Sequence, residues 1–374
     1  MPAPTPSRDP WFDNAKMALV TLVVVGHAWT LLPDTRLNTH LYDFLYAWHV
    51  PAFVFVTGYL SQRFHWTPQR LWALVKTVAV PYVVFEAALA IFRVKVGGEE
   101  LEDLFTDPHW PMWYLSALFF WRLLTPIFRP LPGAVVVAIG LSLAAGLWAG
   151  DTFDVARIMG LLPFFVMGLK ATPERLALLR QRRVKQAGVA ILVALAVVSL
   201  SIDSWASTEW LYYRSTYGQM GSSDLEAIGI RTAMLTMGTL GAFSFLSLVP
   251  RVHGWFTRMG AWTLVVYLFH GFAIKGAAYA GYSDWADDHA IVSFVLTSLL
   301  AVLLALGLAL TPVARRLNAA VDPVGTAERK VKATLAPDDE DEDKDGSKGE
   351  GEDGDGDDDG VGTRRASGEP VRLG

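Results

Sequence analysis

Apolar residues along this chain fall into blocks of about 20, broken by short polar stretches, which is the length that crosses a hydrocarbon core. Ten blocks read as helical spans, near residues 15–33, 41–61, 70–95, 112–129, 132–150, 154–170, 185–203, 227–249, 261–281 and 289–312. The loops between them alternate in charge. One set carries Arg63, Arg70, Arg129, Arg175, Arg180, Arg182, Arg183, Arg251, Arg258, Arg315 and Arg316. The other carries Asp34, Glu99, Asp107, Asp151, Asp203, Glu226, Asp284 and Asp288. The positive-inside rule places the basic set, and with it both termini, in the cytoplasm, and an even number of spans agrees. The first block has no small-residue cleavage site and is followed by many more, so it reads as a retained helix. The expected fold is an all-α integral membrane protein, a bundle of about ten transmembrane helices lying multi-pass in a plasma membrane.

Composition narrows the chemistry. Hydrophobic residues make up 52% of the 374 positions, and there is no cysteine, which excludes disulfides and thiolate nucleophiles. No Cys/His metal spacing, Walker loop or dinucleotide-type glycine motif stands where it could work, so neither a metal nor a nucleic acid is expected. The net charge of −5 comes from the C-terminal end: residues 323–374 hold 16 of the 37 acidic and 8 of the 32 basic side chains, leaving residues 1–322 slightly basic. That segment has almost no apolar residues after Leu335 and is expected to be a disordered acidic tail, either a solvated end or an arm for a basic partner. The basic loop at 171–186 reads as an interfacial stop or as a surface for phosphates. Heavy use of Ala, Val and Arg suggests a bacterial source with a GC-rich genome.

Ionisable residues inside spans are expensive and mark function by default. Lys16 and His27 stand eleven residues apart in the first span, nearly on one helix face and about 16 Å apart along the axis. His27, His49 and Glu86 fall in the outer halves of the first three spans, where they could share one acid–base layer. Lys16, Lys76 and Arg122 fall in the inner half, as an anion-binding layer or as snorkelling interfacial charges. His49 stands just before Pro51, whose ring frees a carbonyl, so it either acts or merely satisfies backbone. Glu86 either reacts or pairs with a buried base. Asp13, three residues before Lys16, shares its face and is expected to hold it by an ion pair. His270 lies near mid-span. The aromatic run at 110–114 reads as belt and packing residues.

Several ordered segments carry a resemblance. Trp11-Phe12-Asp13-Asn14-Ala15-Lys16, with His27 eleven residues after Lys16, resembles the opening motif of acyltransferase family 3, where Arg or Lys precedes an essential histidine by that interval. The second-span run from Trp48-His49-Val50-Pro51 to Thr57-Gly58-Tyr59, then Pro81-Tyr82, Trp113-Tyr114-Leu115, Trp121-Arg122-Leu123 and Tyr267-Leu268-Phe269-His270 follow in the family's order. The resemblance runs from about Trp11 to Thr311 and leaves out the tail. The branch named for fucose 4-O-acetylase is the most similar. Lys16 replaces the commoner Arg, which changes the geometry of a phosphate grip but not its sign, and Thr57 replaces the commoner Ser.

The resemblance implies an integral-membrane O-acyltransferase, with acetyl-CoA as acyl donor and a hydroxyl of a cell-surface carbohydrate as acceptor. In that reading His27 is the general base, His49 and Glu86 orient the acceptor or tune His27, Lys16 and Arg122 hold the CoA phosphates, and Asp13 and His270 are orienting groups. An axial separation of about 16 Å is too long for Lys16 and His27 to meet at one carbonyl. A covalent acyl-histidine intermediate is a second mechanism. The rival class is a proton-coupled transporter of an anionic or sugar-linked metabolite, for which buried His and Glu are equally suited, although no half-to-half repeat is found.

Overall fold

The computed structural model describes residues 9–101, 105–108, 110–150 and 152–327, and every regular element among them is helical. The chain divides into residues 1–328 and 329–374. Helical backbone continues over 323–327, the start of the expected tail, and the rest of that tail lies outside the described residues.

Helix α1 (Pro10–Ala28) starts where local chemistry favours it: Asp9 caps it by accepting from the Trp11 amide at 3.0 Å, and Pro10 occupies the first turn. It is buried along most of its length and packs on α3 (His49–Ser61), α15 (Thr263–Tyr279) and α17 (Ala290–Ala309), as its largely apolar circumference requires. The second predicted span is broken. Helix α2 (Arg36–Tyr46) stops, Ala47 and Trp48 turn, and α3 continues from His49. The third runs through α4 (Pro68–Leu74), a π-helical stretch (Val75–Ala79) and α5 (Val80–Gly97).

Four helical runs are long and apolar enough to cross a membrane: Pro10–Leu31, Arg36–Ser61, Pro68–Gly97 and Ala290–Ala309. Two bent pairs raise the number to six. One joins Thr152–Gly160 to Leu162–Lys170 (α9) across 55°, and the other joins Thr263–Tyr279 to Tyr282–Asp288 across 66°. Apolar content alone suggested ten. Helices α6 (Trp113–Phe128) and α7 (Ala134–Ala145) occupy two of those blocks but reach only 16 and 12 residues, and α11 (Arg182–Ser199) begins with three basic residues in its first four positions. A count of apolar residues does not register where a helix bends or stops.

The tightest seam joins α3 to α9. A Cβ on Gly58 would stand 2.0 Å from the Phe165 carbonyl oxygen, and one on Gly168 would stand 2.1 Å from that of Phe55. Each glycine admits the other helix's backbone, the close approach that small residues permit between helices in lipid. At one end of α5, Glu99 accepts from Arg93, from Tyr279 and, at 3.1 Å, from Lys275, which ties α5 to α15. Helix α13 (Asp224–Leu248) carries the buried Arg231, whose guanidinium lies 4.8 Å from the Tyr213 ring and within 6 Å of the Trp210 and Tyr217 rings. That cation holds the short helix α12 (Glu209–Tyr212) against the bundle.

Candidate functional site

A cavity of about 280 Å³ opens between α1, α2, α3, α6 and α12. His27 and His49 both line it, with Tyr42, Tyr46, Tyr212 and Tyr114 around them. Its far wall is apolar, formed by Val20, Val23, Val50, Phe53 and Leu161.

His27 is held from behind by His270, with Nδ1 and Nε2 2.8 Å apart. The other ring nitrogen of His270 is 3.2 Å from the Val266 carbonyl oxygen. A carbonyl only accepts, so His270 Nδ1 carries a hydrogen and, in the neutral ring, Nε2 offers its lone pair. His27 Nδ1–H therefore donates to it, which leaves His27 Nε2 with a free lone pair. Among the described residues no protein group bonds that nitrogen. Stepwise hydrogen bonding from a backbone carbonyl thus fixes one tautomer at the cavity wall. The Trp110 ring stands 4.5 Å from the His27 ring, tilted by 55°, and its loop is held where Tyr267 donates to the Pro111 carbonyl.

His49 satisfies local backbone and also lines the cavity. Its Nδ1 donates to the Leu45 carbonyl at 2.8 Å, at the break between α2 and α3, while the ring lines the cavity. A capped carbonyl and an exposed Nε2 use different atoms of one side chain.

The other expected site residues lie elsewhere. Glu86 is fully buried on α5 and does not line this cavity, so no common layer with His27 and His49 forms around it. Lys16 is also outside, 2.9 Å from Asp13 in the expected i,i+3 ion pair. Arg122 lines a separate cavity of about 180 Å³ with Arg63 and Arg70. His270 backs the cavity without lining it.

The expectation that residues 110–114 form an interfacial belt is corrected: Trp110, Trp113 and Tyr114 line the cavity. The loop before α6 folds inward because Tyr267 and the open flank of Gly271, where a Cβ would meet Pro111 at 3.1 Å, receive it. Arg157, on α8 (Val155–Gly160), also lines the cavity and was passed over in the sequence. Its guanidinium reaches Asp154 at 3.4 Å and lies 5.0 Å from the Trp113 ring. An arginine inside a predicted span was the available signal. At the mouth stand Glu209 and Arg214, the latter 3.5 Å from Asp107. The result is a largely apolar chamber edged by tyrosine hydroxyls, with two imidazoles and the Arg157 cation in its wall. Among the described residues no group of His, Cys, Asp and Glu could hold a metal ion.

Comparison with known proteins agrees with this chemistry. The model of acyltransferase family 3, described as an acyltransferase domain, matches residues 9–311. The chain is 26% identical over 182 residues to the nodulation protein NolL of Mesorhizobium japonicum (strain LMG 29417 / CECT 9101 / MAFF 303099), a match covering 45% of this chain and 48% of that protein. The chain thus spans about half the length of this curated relative. No solved structure matches it at a significant level. With the family model covering the helical body from the cap of α1 to the start of α18 (Thr311–Val321), the chain belongs to acyltransferase family 3.

Proposed function

We propose that this protein lies multi-pass in a bacterial plasma membrane with both termini cytoplasmic and moves an acetyl group from acetyl-CoA to a hydroxyl of a cell-surface carbohydrate. The observation that carries the reading is the Val266–His270–His27 chain of hydrogen bonds, which leaves one imidazole nitrogen unprotonated at a cavity wall. In this mechanism His27 Nε2 takes the acceptor hydroxyl proton while the oxygen attacks the thioester carbonyl. The carbon–sulfur bond of the tetrahedral intermediate then breaks, and the same nitrogen returns the proton to the CoA sulfur. Arg157 supplies positive charge in a chamber where it acts at low dielectric on the developing oxyanion. His49 orients the acceptor through Nε2. Glu86, on a helix that packs against α15, is assigned to support of the His270 helix. Lys16 and Arg122 are assigned to the CoA end of the donor.

The test is transfer of labelled acetyl from acetyl-CoA to surface glycan, in membranes of a deletion strain carrying either the wild-type chain or His27→Ala. Wild-type membranes label the glycan and His27→Ala membranes do not. Full labelling by His27→Ala removes His27 as the base.

A further inference from the structure

The second cavity is the more unusual one electrostatically. It holds about 180 Å³ between the end of α3, helix α4, the π-helical stretch and α6. Arg63 comes from the loop after α3, Arg70 from α4 and Arg122 from α6. Ser61 and Thr77 add hydroxyls, and no carboxylate lines it. Among the described residues none of the three arginines makes an ion pair. Three like charges brought from three elements to one small cavity repel, and one of them, Arg122, is mostly removed from solvent. Arg63 and Arg70 are exposed at the rim, so what sets the cavity apart is that all three side chains converge on it. An arrangement of this kind is satisfied by a polyanion, and arginine forks suit phosphate oxygens.

Its position relative to the first cavity is fixed by two helices. Phe53 lines the first cavity and Ser61 the second, eight residues along α3. Tyr114 and Arg122 do the same along α6. Both walls set a separation of about 12 Å. The arm between the diphosphate and the sulfur of CoA is as long as about four extended peptide units, roughly 14 Å. Midway along this stretch of α3, Thr57 hydrogen-bonds the Tyr114 hydroxyl on α6.

We infer that the Arg63–Arg70–Arg122 cavity is a polyphosphate site that holds the diphosphate end of the acyl donor. The inference rests on acyl-CoA being the donor. A phosphate of that chemistry could also belong to an anionic lipid headgroup, and binding distinguishes the two.

The experiment measures CoA and adenosine 3′,5′-bisphosphate binding calorimetrically to the purified full chain, in nanodiscs of phosphatidylcholine alone and with added phosphatidylglycerol. Arg122→Gln weakens CoA binding about ten- to hundredfold, and Arg63→Gln and Arg70→Gln about tenfold each, in both lipids. Arg122→Lys, which keeps the charge, recovers part of the loss and reports that folding is not the cause. Unchanged CoA affinity in all three Gln variants overturns the inference, and so does arginine-dependent binding seen only for phosphatidylglycerol. Because the readout is binding, arginine-dependent CoA affinity without any glycan acetylation preserves the site and removes only the acceptor reading.

Discussion

His270→Leu is the sharpest perturbation available, because it deletes the acceptor that fixes the His27 tautomer at a position that does not itself line the cavity. In the wild type the 2.8 Å bond stabilises the form with hydrogen on Nδ1 and a lone pair on Nε2. With leucine in place, the His27 Nδ1–H is left in an apolar pocket, and an unsatisfied buried donor costs about 1–3 kcal/mol. The other tautomer avoids that cost by moving the hydrogen to Nε2, where the ring no longer acts as a base. The reactive form is disfavoured by the same amount, which corresponds to about a 5- to 150-fold fall in kcat. KM for acetyl-CoA stays unchanged, since His270 meets no substrate. His270→Gln places a carbonyl oxygen near the former Nε2 and retains most of the rate, within about fivefold. The assay is CoA release by the purified chain with acceptor present, alongside nitrogen-15 NMR of labelled histidine to read which ring nitrogen is protonated. A leucine variant at the wild-type rate, or a glutamine variant no better than leucine, refutes the tautomer argument.

Three further outcomes follow from the packing. Arg231→Met removes the cation from its aromatic box, worth about 2 kcal/mol when desolvated; the melting temperature falls, and KM for the acceptor rises severalfold with donor binding intact. Gly58→Ala drives a Cβ into the Phe165 carbonyl and lowers stability by about 2–3 kcal/mol in a denaturation series, whereas Gly140→Ala, where nothing lies within 4 Å, leaves stability unchanged or raises it. Burial alone would raise the Glu99 carboxyl, but hydrogen bonds from Arg93, Tyr279 and Lys275 outweigh it and hold it at about 2. Its contribution to stability is therefore complete above the unfolded-state pKa of about 4.3 and drains away as pH falls toward 2. Glu99→Gln lowers the melting temperature at pH 7, and its difference from the wild type narrows between pH 5 and pH 2.5; a constant difference would show that the charge is not responsible.

Much of the helical body was legible because apolar blocks and helix-start chemistry such as Asp9-Pro10 are local. The bends were not. Gly160 and Pro163 beside Leu161 mark a break, but the 55° angle of the joint depends on what α8 and α9 each pack against. In the site, intramembrane cost draws attention to His27 and His49, which both line the cavity, and spacing anticipates the Asp13–Lys16 pair. Depth along separate helices could not say which residues converge: Glu86 reads at the level of the histidines but lies on α5, outside the cavity they line. Trp110 was misread because its direction is set by Tyr267 and Gly271, more than 150 residues away in sequence. The His27–His270 bond spans 243 positions, which no periodicity reports.

The paired glycines of α3 and α9 also determine which parts of the molecule can move. Two backbones touching at Gly58 and Gly168 can neither slide nor rotate without collision, so these helices form a stiff keel. Each has a break at one end: Ala47–Trp48 before α3 and Leu161 before α9. The segments beyond those breaks carry Tyr42 and Tyr46 on one side and Arg157 on the other, all facing the cavity. Any widening of the cavity therefore falls to two short arms on a fixed frame, with His49 held on the frame itself.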